Sequence, residues 1–256
     1  MRKQELMTIV RQQEIAKDIF ELVLTGELVK TMKMPGQFIN VGLSGAKGTL
    51  LRRPISICEI DEGRLELTIL YRAGGLGTRY LSMLGAGAVV DILGPLGTGF
   101  DVTPIPTDKT VVLVGGGIGV PPMYELAKRL SARGNRVIAV LGFASQEDVF
   151  YEEKFAQHCE VHIATMDGTH GFHGHTLALI QEKGIAFDWI LACGPTVMLK
   201  AIQDTYAHTK QGYLSFEERM ACGIGACYAC VCDLTDGARG RVCKEGPVFE
   251  LGAVVI

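Results

Sequence analysis

The spacing of four cysteines near the end of the chain constrains its fold most strongly. They follow the pattern Cys222-x4-Cys227-x2-Cys230-x12-Cys243, which is the spacing of the [2Fe–2S] ligands in plant-type ferredoxins. Two irons need four thiolates, and the three closely spaced cysteines must wrap around one side of the cluster. A structural zinc site is the alternative, but it usually takes its cysteines in two short pairs. The spacing therefore favours an iron–sulfur cluster.

The residues around these cysteines support the same interpretation. Gly223 and Gly225 permit a positive φ, which allows backbone N–H groups to point at sulfur. From residue 211 onward the sequence shows no helical stripe long enough to pack alone, so something other than a hydrophobic core must hold this segment together. Cys232 is a fifth thiol in the same segment. We expect it to point into a small core, and the alternative is that it replaces one of the four ligands.

Composition excludes several classes of protein. The 25 Lys and Arg against 28 Asp and Glu give a net charge of −3, which provides no basic surface for nucleic acid. The first residues lack the apolar stretch of a signal peptide, and no apolar run reaches the ~18 residues of a membrane span. Eight cysteines in 256 residues are too few for a disulfide-stabilised secreted protein. We therefore expect a cytoplasmic protein with no membrane span.

The hydrophobic pattern divides the chain into three parts. Residues 1–104 contain short runs with near-alternation of apolar residues, which is typical of a small antiparallel β-barrel. In residues 105–210 strand patterns alternate with helical ones, which predicts an α/β domain with a doubly wound parallel sheet. Residues 211–256 form the small cluster-binding subdomain. The expected fold class is thus multi-domain.

Two neighbouring strands of the predicted barrel carry residues suited to a flavin dinucleotide. An arginine fork at Arg53 can bind a pyrophosphate through two parallel hydrogen bonds, and a helix that begins near Gly77 would direct free N–H groups at the same anion. Taken alone, such an arginine is more often a solvated charge, and Tyr71 more often packs on the barrel surface. The candidate FAD-binding residues are Arg53, Pro54, Ile55, Ser56, Leu70, Tyr71, Arg72, Gly77 and Thr78.

A glycine-rich turn in the second part is a candidate nucleotide site. It follows a strand pattern and precedes a helix that begins near Pro121, and glycines there allow close approach to a pyrophosphate. The motif departs from G-x-G-x-x-G because Pro122 stands where the third glycine would be. Residues 143–148 include acids but no Arg or Lys, which favours NAD over NADP. The candidate NAD-binding residues are Gly115, Gly116, Gly117, Gly119, Gly194 and Pro195.

Cys193 is the candidate catalytic residue. It ends the strand pattern DWILAC, and in an open α/β sheet the carboxyl ends of the strands border the crevice where ligands bind. A polarisable thiol would face that crevice. The alternative is that Cys193 is a buried cysteine that acts as a small hydrophobic side chain.

These features occur in one order along the whole chain, and that order resembles the ferredoxin-NADP reductase superfamily. Within it, the chain is similar to the electron-transfer subunits of NAD-linked, two-subunit dihydroorotate dehydrogenases. The most specific match is the run from Glu217 to Cys230 that continues to Cys243, followed by Leu51–Ser56. The resemblance implies FAD on the barrel, NAD at the α/β domain, and FAD-binding and NAD-binding roles for the residues named above.

The resemblance also implies a partner. The three parts account for every residue, which leaves no domain to bind and oxidise dihydroorotate. We therefore expect an FMN-containing (β/α)8-barrel catalytic subunit, in a heterotetramer with two copies of each chain. Electrons would pass from dihydroorotate to that FMN, then singly through the [2Fe–2S] cluster to FAD, and as hydride to NAD+. The route belongs to pyrimidine biosynthesis.

Two other functions stay open at this point. One is a stand-alone NAD(P)H-dependent flavin and iron–sulfur reductase that serves another acceptor. The other is a non-catalytic binding module whose tail holds zinc.

Overall fold

The computed structural model describes residues 2–43, 45 and 48–256, and its first part is a closed antiparallel barrel. Six strands form the barrel in the order β1-β2-β5-β4-β3-β6. The strands are β1 Lys3–Ala16, β2 Ile19–Thr25, β3 Phe38–Gly42, β4 Arg53–Asp61, β5 Glu66–Arg72 and β6 Val89–Leu96. A short helix, α1 (Leu76–Ser82), follows β5, and a 3-10 turn covers Glu27–Thr31.

Alternation along the strands fills the barrel, because every second residue of a strand points to the same side. Each strand sends two buried side chains inward, and they form one core. These are Met7 and Ile9, Leu22 and Leu24, Ile39 and Val41, Ile55 and Ile57, Leu67 and Ile69, and Val90 and Ile92. The predicted β-barrel is thus confirmed.

The second part is a seven-stranded sheet in the order β10-β9-β8-β7-β11-β12-β15, in which all pairs are parallel except β12 with β15. Its strands are β7 Thr110–Gly116, β8 Arg136–Phe143, β9 Glu160–Thr165, β10 Phe172–His173, β11 Trp189–Cys193, β12 Gln211–Ser215 and β15 Val248–Glu250. Its helices are α2 Pro121–Ala132, α3 Glu152–Ala156, α4 Thr176–Glu182 and α5 Thr196–Tyr206, with 3-10 turns at Gly117–Gly119 and Gln146–Asp148.

Both faces of this sheet are buried, as expected for parallel strands covered by helices. Val111 and Leu113 of β7 join the core under α2, while Val112 and Val114 join the core under α4 and α5. Helix α2 begins with Pro121 at its first position, where the missing N–H breaks no hydrogen bond. The predicted doubly wound domain is thus confirmed.

The last part folds onto both of the others. Its two-stranded ribbon consists of β13 (Val231–Asp233) and β14 (Arg239–Arg241). Strands β12 and β15 lie within residues 211–256 but belong to the seven-stranded sheet. The sequence-based boundary at residue 211 therefore lies at the start of a sheet strand, and the division of the chain into domains stays a prediction.

The barrel and the sheet domain meet through polar contacts as well as a shared core. Glu125 on α2 is buried, and its Oε2 accepts the backbone N–H of Ile60 on β4 at 3.2 Å. Beside it, Lys128 Nζ lies 2.5 Å from Glu59 Oε1. These contacts fix α2, and with it the glycine-rich turn, against the barrel.

Two elements differ from the sequence pattern. The acid-rich segment of residues 148–157 forms only the short helix α3, which begins after Tyr151, a residue with a φ of 66°. Helix α5 was not predicted, although it covers one face of the sheet. Within the described part of the chain, no helix has both the length and the apolar character that a membrane crossing needs.

Candidate functional site

A cavity of about 290 Å³ borders strands β4 and β5 of the barrel. Strands β4 and β5 run side by side, so the two predicted flavin-binding runs face the same space. Eight of the nine candidate FAD residues line it, namely Arg53, Pro54, Ile55, Ser56, Leu70, Tyr71, Arg72 and Thr78. The ninth, Gly77, lies under the Arg53 side chain. The sequence-based set is therefore one contiguous surface.

The turn into α1 brings the remaining polar groups to this surface. Thr78 Oγ1 accepts the backbone N–H of Gly75 at 3.1 Å, and this bond fixes the start of the helix. Gly77 has no side chain to fill the space that Arg53 occupies. A guanidinium held beside a turn of free N–H groups suits a pyrophosphate. The residues present therefore fit the FAD that the sequence predicts.

Tyr71 uses its polar group elsewhere. Its ring stacks on Phe20 with centroids 5.8 Å apart, and its hydroxyl donates to Gln12 Oε1 at 2.8 Å. Burial raises the pKa of this phenol above its ordinary value. Tyr71 thus borders the cavity as a buried residue of the barrel core, and its hydroxyl is already bonded.

Sequence reasoning missed the opposite wall of this cavity. That wall comes from the other two parts of the chain, and its residues are Ile118, Ser215, Phe216, Glu217, Glu218, Met220 and Pro247, with Phe38 from the barrel. Burial raises the pKa of Glu217. The available signal was the position of Ser215 at the carboxyl end of a parallel strand, which is where ligands approach such sheets.

A second cavity, of about 550 Å³, lies at the carboxyl ends of the sheet strands. Gly116, Gly117 and Pro195 of the predicted NAD set line it. Sequence reasoning did not name Gly142, Met166, His175, Thr176, Val197 and Met198, which also line it. A mostly apolar cleft of this size, next to a glycine-rich turn, suits a dinucleotide.

The other predicted glycines act through packing. A Cβ on Gly119 would overlap the backbone of Cys193 and Gly194, and a Cβ on Gly115 would stand 2.9 Å from the Cα of Val120. These glycines let the turn lie against the end of β11. They therefore shape the nucleotide cavity and do not line it.

Cys193 lies beneath this turn and lines neither cavity. It is 1% exposed, and burial raises the pKa of its thiol to about 12. A neutral, enclosed thiol matches the alternative of a small hydrophobic side chain. Its catalytic role stays a prediction.

Arg72 links the two cavities, since it lines both of them. Its Nη2 lies 3.8 Å from Asp148 Oδ1, which comes from the sheet domain. The sequence pattern showed no cation in residues 143–148, but the barrel supplies this one from a distant position in the chain. The nucleotide cavity therefore contains an arginine that is already paired with an acid.

The segment with the four cysteines forms a turn whose N–H groups face sulfur. The backbone N–H groups of Ile224 and Ala226 donate to Cys222 Sγ at 3.4 and 3.3 Å, and that of Gly225 donates to Cys243 Sγ at 3.1 Å. Gly225 has a φ of 81°, as the sequence predicted. Burial acts to raise the pKa of Cys222, but its hydrogen bonds lower it to about 6.

The thiols interact in two pairs, Cys222 with Cys227 and Cys230 with Cys243. Among the described residues, no three Cys, His, Asp or Glu side chains lie close enough together to hold one metal ion. A [2Fe–2S] cluster needs two terminal thiolates on each iron, and these four cysteines can supply them. Cys232 lies apart from them, with its Sγ 3.5 Å from the carbonyl oxygen of Gly240.

Comparison with known protein families identifies two of the three parts. Residues 6–100 match the oxidoreductase FAD-binding domain, and residues 217–255 match the iron-sulfur cluster binding domain of dihydroorotate dehydrogenase B. These ranges coincide with the barrel and with the cysteine-rich segment. The chain therefore has an FAD-binding domain and an iron–sulfur domain, as the sequence predicted.

Solved structures agree in fold. The NADH-dependent reduced ferredoxin-NADP oxidoreductase, a protein of flavin-based electron bifurcation, aligns with 98% of this chain and 90% of its own, at 26% identity and a TM-score of 0.87. An Amycolatopsis cytochrome P450 reductase aligns with 81% of this chain and 66% of its own, at 22% identity and a TM-score of 0.69. The fold of the ferredoxin-NADP reductase superfamily is thus confirmed.

Full-length relatives narrow the family further. The electron transfer subunit of dihydroorotate dehydrogenase B (NAD(+)) from Bacillus cereus strain AH187 is 51% identical over 260 residues, which cover 100% of both chains. The subunit of the same name from Bacillus anthracis strain CDC 684 is equally similar. Identity at this level over the whole length leaves one assignment, and the chain belongs to the family of electron transfer subunits of NAD-linked dihydroorotate dehydrogenase B.

Proposed function

We propose that this chain carries electrons from the oxidation of dihydroorotate, in a partner subunit, to NAD+. The balanced reaction converts dihydroorotate and NAD+ into orotate, NADH and a proton. When bound, FAD exchanges a hydride with nicotinamide and single electrons with an iron–sulfur cluster, so it connects the two kinds of transfer. The Bacillus relatives bear the name of this enzyme's electron transfer subunit.

One observation carries the proposal. Glu218 and Met220 line the cavity on the barrel, and the first predicted cluster ligand, Cys222, follows two residues later. The same short segment therefore forms a wall of the flavin cavity and begins the thiolate turn. A flavin in this cavity and a cluster on Cys222 would thus be held by the same short segment, which would favour single-electron transfer between them.

The chain's own residues bind and orient the groups. Arg53 binds the pyrophosphate of FAD, the ring of Tyr71 supports the flavin, and Gly116 and Gly117 let the pyrophosphate of NAD approach the backbone. The thiolates of the four cysteines named above hold the cluster. These roles are supported by position. The FAD and NAD residues line the two cavities, and a cysteine sulfur accepts a backbone N–H of the cysteine-rich turn.

The partner completes the reaction. An FMN-containing barrel subunit supplies dihydroorotate oxidation, and two copies of each chain form the complex. The name of the relatives' subunit implies a second subunit. We also propose a cytoplasmic location, since thiolates that hold a cluster suit a reducing compartment.

The proposal is tested with the purified chain, prepared without oxygen. Iron, acid-labile sulfide and flavin are measured first, and each is expected in the isolated protein. The chain is then mixed with the FMN-containing subunit, and NAD+ reduction is followed with dihydroorotate as the electron donor. A chain that holds flavin and cluster but gives no complex and no dihydroorotate-dependent reduction would support the stand-alone reductase instead.

A further inference from the structure

Asn40 joins the barrel to the turn that carries the predicted cluster ligands. It lies in β3 and is 1% exposed. Its neighbours Ile39 and Val41 point into the barrel core, so alternation places the Asn40 side chain on the outer side. There its Nδ2 donates to the carbonyl oxygen of Cys222 at 3.4 Å. A buried amide of the barrel thus contacts the peptide that follows the first predicted ligand.

Gly223 shows how closely the turn crosses this amide. It has a φ of 67°, and a Cβ at this position would overlap Asn40 Nδ2. Only glycine both adopts this conformation readily and leaves room for the amide. The next residues, Ile224 and Ala226, direct their N–H groups at Cys222 Sγ. Asn40 therefore supports the start of the turn whose N–H groups face the sulfur.

The other end of the amide carries an energetic cost. Asn40 Oδ1 is buried and has no hydrogen-bond partner among the described residues. Leaving a buried polar atom unpaired destabilises the folded state. A leucine of similar size would avoid that cost, so a contribution to stability does not explain an asparagine here.

We propose that Asn40 is a positioning residue for the electron transfer step. It holds the Cys222 turn against the barrel wall and thereby fixes the N–H groups that face the ligand sulfur. Hydrogen bonds to cluster sulfurs are among the factors that set the reduction potential of an iron–sulfur centre. Asn40 also pairs with Pro54 in the adjacent strand, which connects the turn to the FAD candidates. This inference rests on the proposed function, because it requires a cluster on the four cysteines.

The test compares Asn40→Leu with the parent protein. In the variant, a chelator is expected to remove iron about tenfold faster or more. The reduced cluster is also expected to show an altered EPR spectrum and a lower midpoint potential, because N–H groups at sulfur stabilise the added electron. The same measurements are made on Asn40→Ala, with the same changes expected. The proposal can therefore still be tested if Asn40→Leu folds poorly.

Asn135 provides a matched control. It is also buried, at 6% exposure, with an unpaired Oδ1 and an Nδ2 that donates to Pro106 O at 2.7 Å, but it lies in the sheet domain. Asn135→Leu is expected to leave the EPR spectrum, the potential and the rate of iron release unchanged. Parental values in both Asn40 variants, or equal changes in Asn135→Leu, would overturn the role of Asn40 alone. A parent protein without iron and sulfide would overturn the proposed function as well.

Discussion

The guanidinium of Arg53 lies directly over Gly77. A Cβ on Gly77 would stand 2.8 Å from Arg53 Nε and 3.0 Å from its Nη2. Arg53 also donates from Nη1 to the carbonyl oxygen of Leu51. The glycine and this carbonyl hold the arginine at the cavity on the barrel, although Arg53 and Gly77 come from a strand and a helix that are distant in sequence.

Replacing Arg53 with alanine is expected to weaken FAD binding. The change removes a charged donor of hydrogen bonds to phosphate, which is worth about 1.5–3 kcal/mol, so the dissociation constant should rise about tenfold or more. Flavin fluorescence after dialysis measures the loss. Arg64→Ala is the control, since Arg64 lies in the turn after β4 with its side chain 76% exposed. If Arg53→Ala retains as much flavin as the parent, the role of Arg53 in FAD binding is contradicted.

Replacing Cys227 with serine is expected to remove or damage the cluster and leave FAD bound. Reduction of dyes by NADH should persist in part, because dyes take electrons from flavin, while dihydroorotate-dependent reduction of NAD+ is lost. Iron analysis and visible absorption measure the effect. Cys232→Ser is the matched control in the same segment and should keep the parent's iron content. Unchanged iron in Cys227→Ser would contradict the ligand assignment.

Much of the site was readable from the sequence because its residues lie in short contiguous runs. Each predicted motif lies within a short stretch of sequence, so periodicity and spacing can predict it. These motifs are the cysteine spacing, the Arg53–Ser56 run and the glycine-rich turn. Eight of nine FAD candidates then line one cavity.

The remaining site residues depend on contacts between distant segments. Arg72, a barrel residue, lines the nucleotide cavity because the barrel and the sheet domain pack together. Asn40 meets Cys222 across 182 positions of sequence. No local pattern contains such pairs, since they arise from tertiary packing. Helix α5 was missed for a related reason, because its burial becomes clear only once the sheet has formed.

Replacing Thr176 with valine is expected to stabilise the isolated protein. Thr176 lines the nucleotide cavity and is 2% exposed, and its Oγ1 has no hydrogen-bond partner among the described residues. Valine keeps the branched shape and removes the unpaired hydroxyl, so the free energy of unfolding should rise by about 1 kcal/mol. Urea unfolding without nucleotide measures it. Thr176→Ser keeps the hydroxyl and should give no gain. A valine variant that is less stable than the parent would show that the hydroxyl has a partner in solution.

Glu21 makes the contact between the barrel and the sheet domain dependent on pH. Its side chain is 2% exposed, and its Oε2 accepts hydrogen bonds from Tyr151 Oη and Lys154 Nζ, both at 2.5 Å. Burial acts to raise the pKa of Glu21, but Lys154, Tyr151 and Arg11 together hold it below the ordinary value of 4.5. A carboxyl with a lowered pKa in the folded state adds stability above its unfolded pKa. That contribution is lost as the pH falls through the lower, folded value.

Glu21→Gln is therefore expected to lower the free energy of unfolding by about 2 kcal/mol near neutral pH, because hydrogen bonds to a charged group become bonds to a neutral one. Below pH 4.5, the ordinary pKa of the carboxyl, the difference in free energy of unfolding between variant and parent should decrease, because the parent's carboxylate becomes protonated. Urea unfolding at several pH values measures both effects. Glu147→Gln is the control, since its ion pair with Lys17 also joins the two parts but is exposed, and it should cost less than about 0.5 kcal/mol. If the difference in free energy of unfolding between Glu21→Gln and the parent is the same at every pH, then packing, and not charge, accounts for the contribution of Glu21.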